Sequence, residues 1–438
     1  MQPFKFYLVT DTHYFEPSLG CSGKALDDYM KNEMYCLAES SKIVKATFDE
    51  IIKDSETDTV IIPGDLSKDG EKQSHISFEK ELNRLKEAGK KVYVITAGHD
   101  YNDHPRGYVG EEYVPVEPTT FDELYDLYYD FGLAQALSVD KETHSYIVEV
   151  APKIRMIAFN CDSKGDTKGR IDDRLLSWAK EQIDKAKAEG CFVFCINHYP
   201  IIPSVPVFDL IGDAHIKDWR KVASFLADNG VNLALTGHMH IQSINEFYSE
   251  NGNKFVDICT SVLVGSPGKY RKITINDENT VTAESINVPE FDWDKGGRTT
   301  EQYFDDRAAW AAPNRIRRAL SGDSFIKKKA TKIFNTNTFA QLGRKLCLKV
   351  PDELKNKKFA DFTGELARDI FKGDQPYVKG TPEYEIIARF LKRFKPVLKI
   401  AENKLAKDGV KPDLTSMLLN TIGNNKGWSD NDATISLK

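Results

Sequence analysis

The stretch TVIIPGDLSKDG (residues 59–70) decides how the chain is read. Val60, Ile61 and Ile62 are apolar and β-branched, the composition of a buried strand. The run stops at Gly64, where Asp65 leaves the strand, and Asp69 and Gly70 shape the turn that follows. Downstream, the apolar spacing over 74–88 predicts an amphipathic helix, and KVYVIT (91–96) predicts the next strand.

The alternation continues outward in both directions. Strands are expected at FKFYLVT (4–10), RMIAFN (155–160), CFVFCIN (191–197), NLALTG (232–237), KFVDICTSVL (254–263) and YRKITI (270–275). Helices are expected at 41–54, 172–189 and 217–229, the last with Trp219, Val222, Phe225 and Leu226 at helical spacing. Strand–helix alternation of this kind gives an α/β architecture with substantial sheet over residues 1–288. The stretch SINVPEFDWDKGGRTT (285–300) reads as a boundary, after which the strand signal fades. Thr381, Pro382 and Glu383 form a helix start, followed by Ile386, Ile387, Phe390, Leu391 and Phe394 at 3- and 4-residue spacing, and Pro396 should kink that helix. Residues 300–438 are therefore expected to form a helical carboxyl-terminal domain. Its segment 301–361 holds 14 Lys and Arg against 7 Asp and Glu, which reads as a solvated helical face.

The 438 residues are 41% hydrophobic and 29% charged, a globular profile, and the formal net charge of -6 gives no general attraction for nucleic-acid polymers or anionic membranes. Seven cysteines, sparse and odd in number, make no disulfide framework, and no Cys-x-x-Cys of zinc type occurs. No apolar run reaches transmembrane length and no signal peptide opens the chain, so a cytoplasmic protein is expected, although a chain trimmed of its leader would read the same. Two long segments, 14–40 and 101–130, interrupt the alternation. Their aromatics, Tyr14, Phe15, Tyr101, Tyr108 and Tyr113, are read as packing residues before base-stacking ones.

Five of the strands end in acidic residues or histidines. The first gives Asp11-Thr12-His13 and the second Gly64-Asp65, with Asp69-Gly70 beyond it. The third runs VITAGHDYND (94–103) and gives His99-Asp100; the fourth gives Asn197-His198; the fifth gives Gly237-His238-Met239-His240. In open α/β sheets, ligands bind in the crevice beyond the carboxyl ends of the strands, so residues far apart in sequence can converge there. Carboxylate and imidazole donors suit divalent metals such as Mn, Fe, Zn or Co.

Taken in order, these blocks resemble the calcineurin-like metallophosphoesterase superfamily, with its D-x-H, G-D-x-x-x-D-G, G-N-H-D/E, single His and G-H-x-H motifs. The resemblance covers residues 4 to about 288. The long first loop and the helical carboxyl-terminal segment also resemble a bacterial branch of cyclic-nucleotide phosphodiesterases. The resemblance implies a pair of packed mixed β-sheets flanked by helices, with two divalent metal ions at the strand ends. It implies that Asp11, His13 and His240 hold one ion, that His198 and His238 hold the other, and that Asp65 bridges them. It implies that a hydroxide between the ions attacks a phosphodiester, such as a 3′,5′-cyclic nucleotide, while His99 protonates the leaving group and Asp100 orients His99 by hydrogen bonding. A phosphomonoesterase or nucleotide hydrolase would use the same ions, and a non-catalytic binding scaffold is a further alternative. One departure stands out. Gly98 occupies the place of the family's asparagine, which gives an oxygen to the second ion, so that site is expected to be weaker or completed by water. Asn102 or Asp103 looping back is a less favoured replacement.

Overall fold

The protein is described here from a computed structural model covering residues 2–162, 169–406 and 410–438. Its strands are β1 (Phe4–Leu8), β2 (Thr59–Pro63), β3 (Lys91–Ile95), β4 (Arg106–Val109), β5 (Glu112–Pro115), β6 (Ser138–Val139), β7 (Tyr146–Ala151), β8 (Ile154–Phe159), β9 (Phe192–Asn197), β10 (Leu233–Thr236), β11 (Ser243–Tyr248), β12 (Lys254–Cys259), β13 (Lys269–Ile275), β14 (Thr280–Asn287) and β15 (Ala433–Ser436). One sheet has the order β15-β14-β13-β1-β2-β3, a second has β11-β12-β10-β9-β8-β7-β6, and β4-β5 form a separate hairpin.

The two sheets pack face to face. Phe6, Leu8, Ile61 and Ile95 meet Met156, Phe194, Ile196 and Leu235 between them. On its outer face the first sheet sets Val60 and Ile62 against Ile43 and Phe48 of the helix Ser40–Lys53 and Phe78 and Leu82 of the helix Lys72–Glu87. On the second sheet, Ile157, Cys195 and Ala234 meet Leu176 and Ile183 of the helix Asp173–Ala188 and Val222 and Leu226 of the helix Trp219–Asp228. Both faces of β2 are therefore buried, which is why Val60, Ile61 and Ile62 show no polar alternation. Mixed sheets flanked by helices are the fold class expected above. β1, β2 and β3 are parallel neighbours, and so are β8, β9, β10 and β12. Within each sheet, their carboxyl ends thus open on one edge.

Every strand predicted from apolar runs is present. Among those not foreseen, β11 and β14 carry polar residues along their length, and β7 is apolar but for Glu149. The long segments fold too. Residues 14–40 include the helix Lys24–Met30 and a bridge from Tyr35 to Gly265, and residues 101–130 include the hairpin and the helix Phe121–Leu127. Tyr14, Phe15 and Tyr108 are core residues, Tyr101 packs beside the core, and Tyr113 is 43% exposed.

Beyond residue 300 helices dominate. One ends at Arg393 and the next begins at Lys395, with Pro396 in its first turn, so the expected kink is a full break. The helical segment also carries one short strand at its end: β15 pairs antiparallel with β14 and extends that edge of the first sheet. The fully buried Arg271 of β13 ties this return down. Its guanidinium donates to Thr260 Oγ1, Ser285 Oγ and the carbonyls of Cys259, Asp430 and Asn431. Among the described residues all seven cysteines are free, and no helix is long and apolar enough to cross a membrane.

Candidate metal centre

Each donor sits just past the carboxyl end of a strand: Asp11 and His13 after β1, Asp65 after β2, His99 after β3, His198 after β9, and His238 and His240 after β10. Five of them, Asp11, His13, Asp65, His238 and His240, have positive φ, between 36° and 67°. A left-handed turn at a non-glycine residue is strained, and strain of this kind gathers at functional sites. Here it turns side chains off the strand axis toward a common point. The crossing is held by main-chain bonds: the His13 N–H donates to the Asp65 carbonyl at 3.0 Å and the Gly237 N–H to the His198 carbonyl at 2.9 Å. Gly64, with φ 92°, permits the close approach, since a Cβ there would lie 2.7 Å from Ala97 Cβ and 3.0 Å from His198 Nδ1.

The structure brings Asp11, His13 and His240 into one close set and Asp65, His198 and His238 into another, and places His13, Asp65 and His99 together. Asp65 Oδ2 lies 3.0 Å from His198 Nε2 and 3.9 Å from His13 Nε2, between the two sets. Asp11 Oδ1 lies 3.4 Å from His240 Nε2 and 3.9 Å from His198 Nε2. Backbone carbonyls fix the rings. Pro63 accepts from His198 Nδ1 at 2.9 Å and Asp213 accepts from His238 Nε2 at 2.7 Å, which leaves His198 Nε2 and His238 Nδ1 with lone pairs for a ligand.

These donors fit divalent ions. His13 Nε2 and His240 Nε2 are 3.0 Å apart, a separation at which two imidazole nitrogens need a proton or a cation to share. His198 Nε2 is buried and lies 3.0 Å from Asp65 Oδ2. Burial pushes the imidazoles of His13 and His238 down to about 3 and about 4, keeping them neutral, the state that binds metal. Burial also disfavours charge on His198, but Asp65 outweighs it and raises the ring to about 9; a cation would take that proton's place.

His99 stands at the rim, its side chain half-exposed. Its N–H donates to Asp65 Oδ1 at 3.1 Å, and its Nδ1 lies 2.7 Å from the Lys68 carbonyl and 2.9 Å from Asp69 Oδ1. Asp69 is in turn paired with Lys68, a buried ammonium that sits over the rings of Tyr29 and Tyr108. Burial opposes charge on His99, but Asp65 and Asp69 prevail and raise it to about 10. Asp69 is therefore the carboxylate that meets the His99 ring.

Asp100 does not fill that role, which corrects the sequence expectation. Residues 98–100 form a 3-10 turn that sends neighbouring side chains apart. Asp100 folds back, accepting from the Ser67 and Ala97 N–H groups at 2.8 Å each, and helps hold β2 to β3 beyond their ends. Behind it lies a residue that sequence reasoning missed. His75 is fully buried, with Nδ1 2.8 Å from Tyr128 Oη and Nε2 3.0 Å from Ser67 Oγ. Its spacing in an amphipathic helix gave no polar signal. Asn102 and Asp103 are exposed, and Asn102 Oδ1 accepts from the His104 N–H, so neither loops back to the site.

Residues 4–242, more than half of the chain, match the family model described as calcineurin-like phosphoesterase. The chain belongs to this family. No curated protein matches it. Among solved structures, this calcineurin-like phosphoesterase is similar to a dimetal phosphatase from Danio rerio at 12% identity, covering 66% of this chain and 97% of that one, with a TM-score of 0.46. It is also similar to a purple acid phosphatase from yellow lupin (13% identity, 68% and 53% covered, TM-score 0.36). A third is the NAD nucleotidase of Haemophilus influenzae (12% identity, 77% and 62% covered, TM-score 0.34). The family implies divalent metal ions, and the donor sets described above are the candidate ligands of this phosphoesterase.

Proposed function

We propose that this chain hydrolyses a phosphodiester, such as a 3′,5′-cyclic nucleotide, at a dinuclear metal centre. The observation that carries the reading is the convergence of two donor sets on one rim, with Asp65 Oδ2 between them. Asp11, His13 and His240 would hold one ion, His198 and His238 the other, and Asp65 both. Two divalent ions supply Lewis acidity to phosphate oxygens and bring the pKa of bound water toward 7.

The chain's own groups do the rest. Asp11 and Asp65 contribute two negative charges, so a surplus of positive charge remains for an anionic ester. Anchored through Nδ1 by Asp69 and the Lys68 carbonyl, His99 can keep Nε2 facing the site and give a proton there to the departing oxygen. Preference for a diester is supported by the sequence resemblance to the cyclic-nucleotide branch.

The test is Mn²⁺-dependent turnover of bis-p-nitrophenyl phosphate and cyclic AMP beside p-nitrophenyl phosphate. Diester hydrolysis is expected. Turnover of the monoester alone would remove the diesterase reading. No turnover with Mn, Fe, Zn or Co would replace it with a non-catalytic scaffold.

A further inference from the structure

Gly98 leaves the second ion one protein oxygen short, and the space beside it is already taken. A Cβ built on Gly98 would lie 2.7 Å from Asp162 Oδ2, 3.7 Å from Asp162 Cγ and 3.5 Å from Tyr199 Oη. The backbone does not demand glycine here, because Gly98 is not among the residues with positive φ. What a side chain at position 98 would meet is the Asp162 carboxylate, standing where that side chain would begin.

Asp162 arrives from another strand. It lies three residues past β8, the parallel neighbour of β9, whose last residue Asn197 pairs with Phe159 and precedes His198. The carboxylate therefore belongs to the same rim of strand ends. It is 4% exposed. Tyr199 connects it to the second donor set. The Tyr199 ring lies tilted against His238 with centroids 4.0 Å apart, and its Oη is 3.5 Å from the same Cβ position that Asp162 Oδ2 crowds.

We propose that Asp162 gives the second ion the oxygen that residue 98 cannot, so that a carboxylate from the β8 end replaces an amide from the β3 end. This rests on the metal-centre reading above. Asp162 is not one of the close set Asp65, His198 and His238, so its side chain moves inward when the ion binds. The site would then hold three carboxylates, Asp11, Asp65 and Asp162, against four positive charges.

The experiment is Mn²⁺ titration of metal-stripped full-length protein, read by calorimetry, by elemental analysis and by the electron paramagnetic resonance signal of a spin-coupled ion pair, with no substrate present. Wild type should take up two ions. Asp162→Ala should keep one and bind the second at least tenfold more weakly, losing the coupled signal. The double variant Gly98→Asn with Asp162→Ala should recover the second ion. Far-UV circular dichroism and thermal melting report whether each variant is folded. Should Asp162→Ala fail to fold, Asp162→Leu, similar in size but without an oxygen donor, carries the test and should also weaken the second ion. Two ions bound with wild-type affinity by a folded Asp162 variant would overturn the proposal and leave the metal centre standing. A wild type that binds no Mn²⁺ would overturn both.

Discussion

Replacing His99 by Gln removes a proton donor from the rim while leaving both donor sets intact. Turnover of an alkyl diester, whose leaving group needs a proton, should fall by roughly 10²–10⁴-fold. Bis-p-nitrophenyl phosphate, with its better leaving group, should lose much less. Asp69→Asn should move in the same direction by a smaller factor, because the Nδ1 anchor is weakened and not lost. Asp100→Asn should leave the leaving-group dependence unchanged and destabilise the fold by about 1–2 kcal/mol, since it accepts two buried N–H groups. Steady-state kinetics on both esters, with urea denaturation, separates the three. A fourth expectation concerns His75, which burial takes from 6.5 to about 3. Below pH 6.5 the unfolded chain binds a proton at this ring that the native fold refuses until about pH 3. Its contribution to stability is therefore complete above 6.5 and is lost as pH falls, by up to about 1.4 kcal/mol per pH unit. Urea midpoints at pH 7 and pH 5 should converge in His75→Asn relative to wild type.

At the scale of elements, the legible features were those with one cause. Strands buried on both faces announced themselves as unbroken β-branched runs, and the donors announced themselves as charge placed directly after them. β11 and β14 stayed hidden because one face of each is only partly buried and their sequences are mixed. The left-handed turns at Asp11, His13, Asp65, His238 and His240 had no signal either, since glycine, the usual mark of such a turn, is absent from those positions. Asp162 was legible in principle: RMIAFN is followed by Cys161 and Asp162, the same arrangement of an acidic residue past a buried strand that marked the other blocks. The Asp100 expectation failed because adjacency in sequence does not survive a 3-10 turn. Gly64→Ala belongs to this scale. The close approach of Ala97 and His198 to Gly64, at φ 92°, predicts a loss of about 1–3 kcal/mol and a weakened Pro63–His198 bond, measurable by melting and by Mn²⁺ affinity.

For the whole molecule, the carboxyl-terminal segment is joined to the catalytic sheets by more than a docked helical face. Arg271→Met removes the guanidinium donor from the carbonyls of Cys259 and Asp430, and one of the two donors to that of Asn431, and should cost about 3 kcal/mol or more in urea unfolding. Composition changes near 285–300, which marks a boundary, but composition says nothing about a strand that returns from the far side. That return also has a consequence in time. β14 is synthesised about 145 residues before β15, which at ribosomal speeds is roughly 7–30 s. All the candidate ligands have emerged by then, yet the first sheet still presents an unpaired edge. A nascent chain can therefore assemble its rim of donors while the backbone of β14 is still open to strand pairing with other chains, and β15 covers Thr280 to Ala283 of that strand only once it has been made.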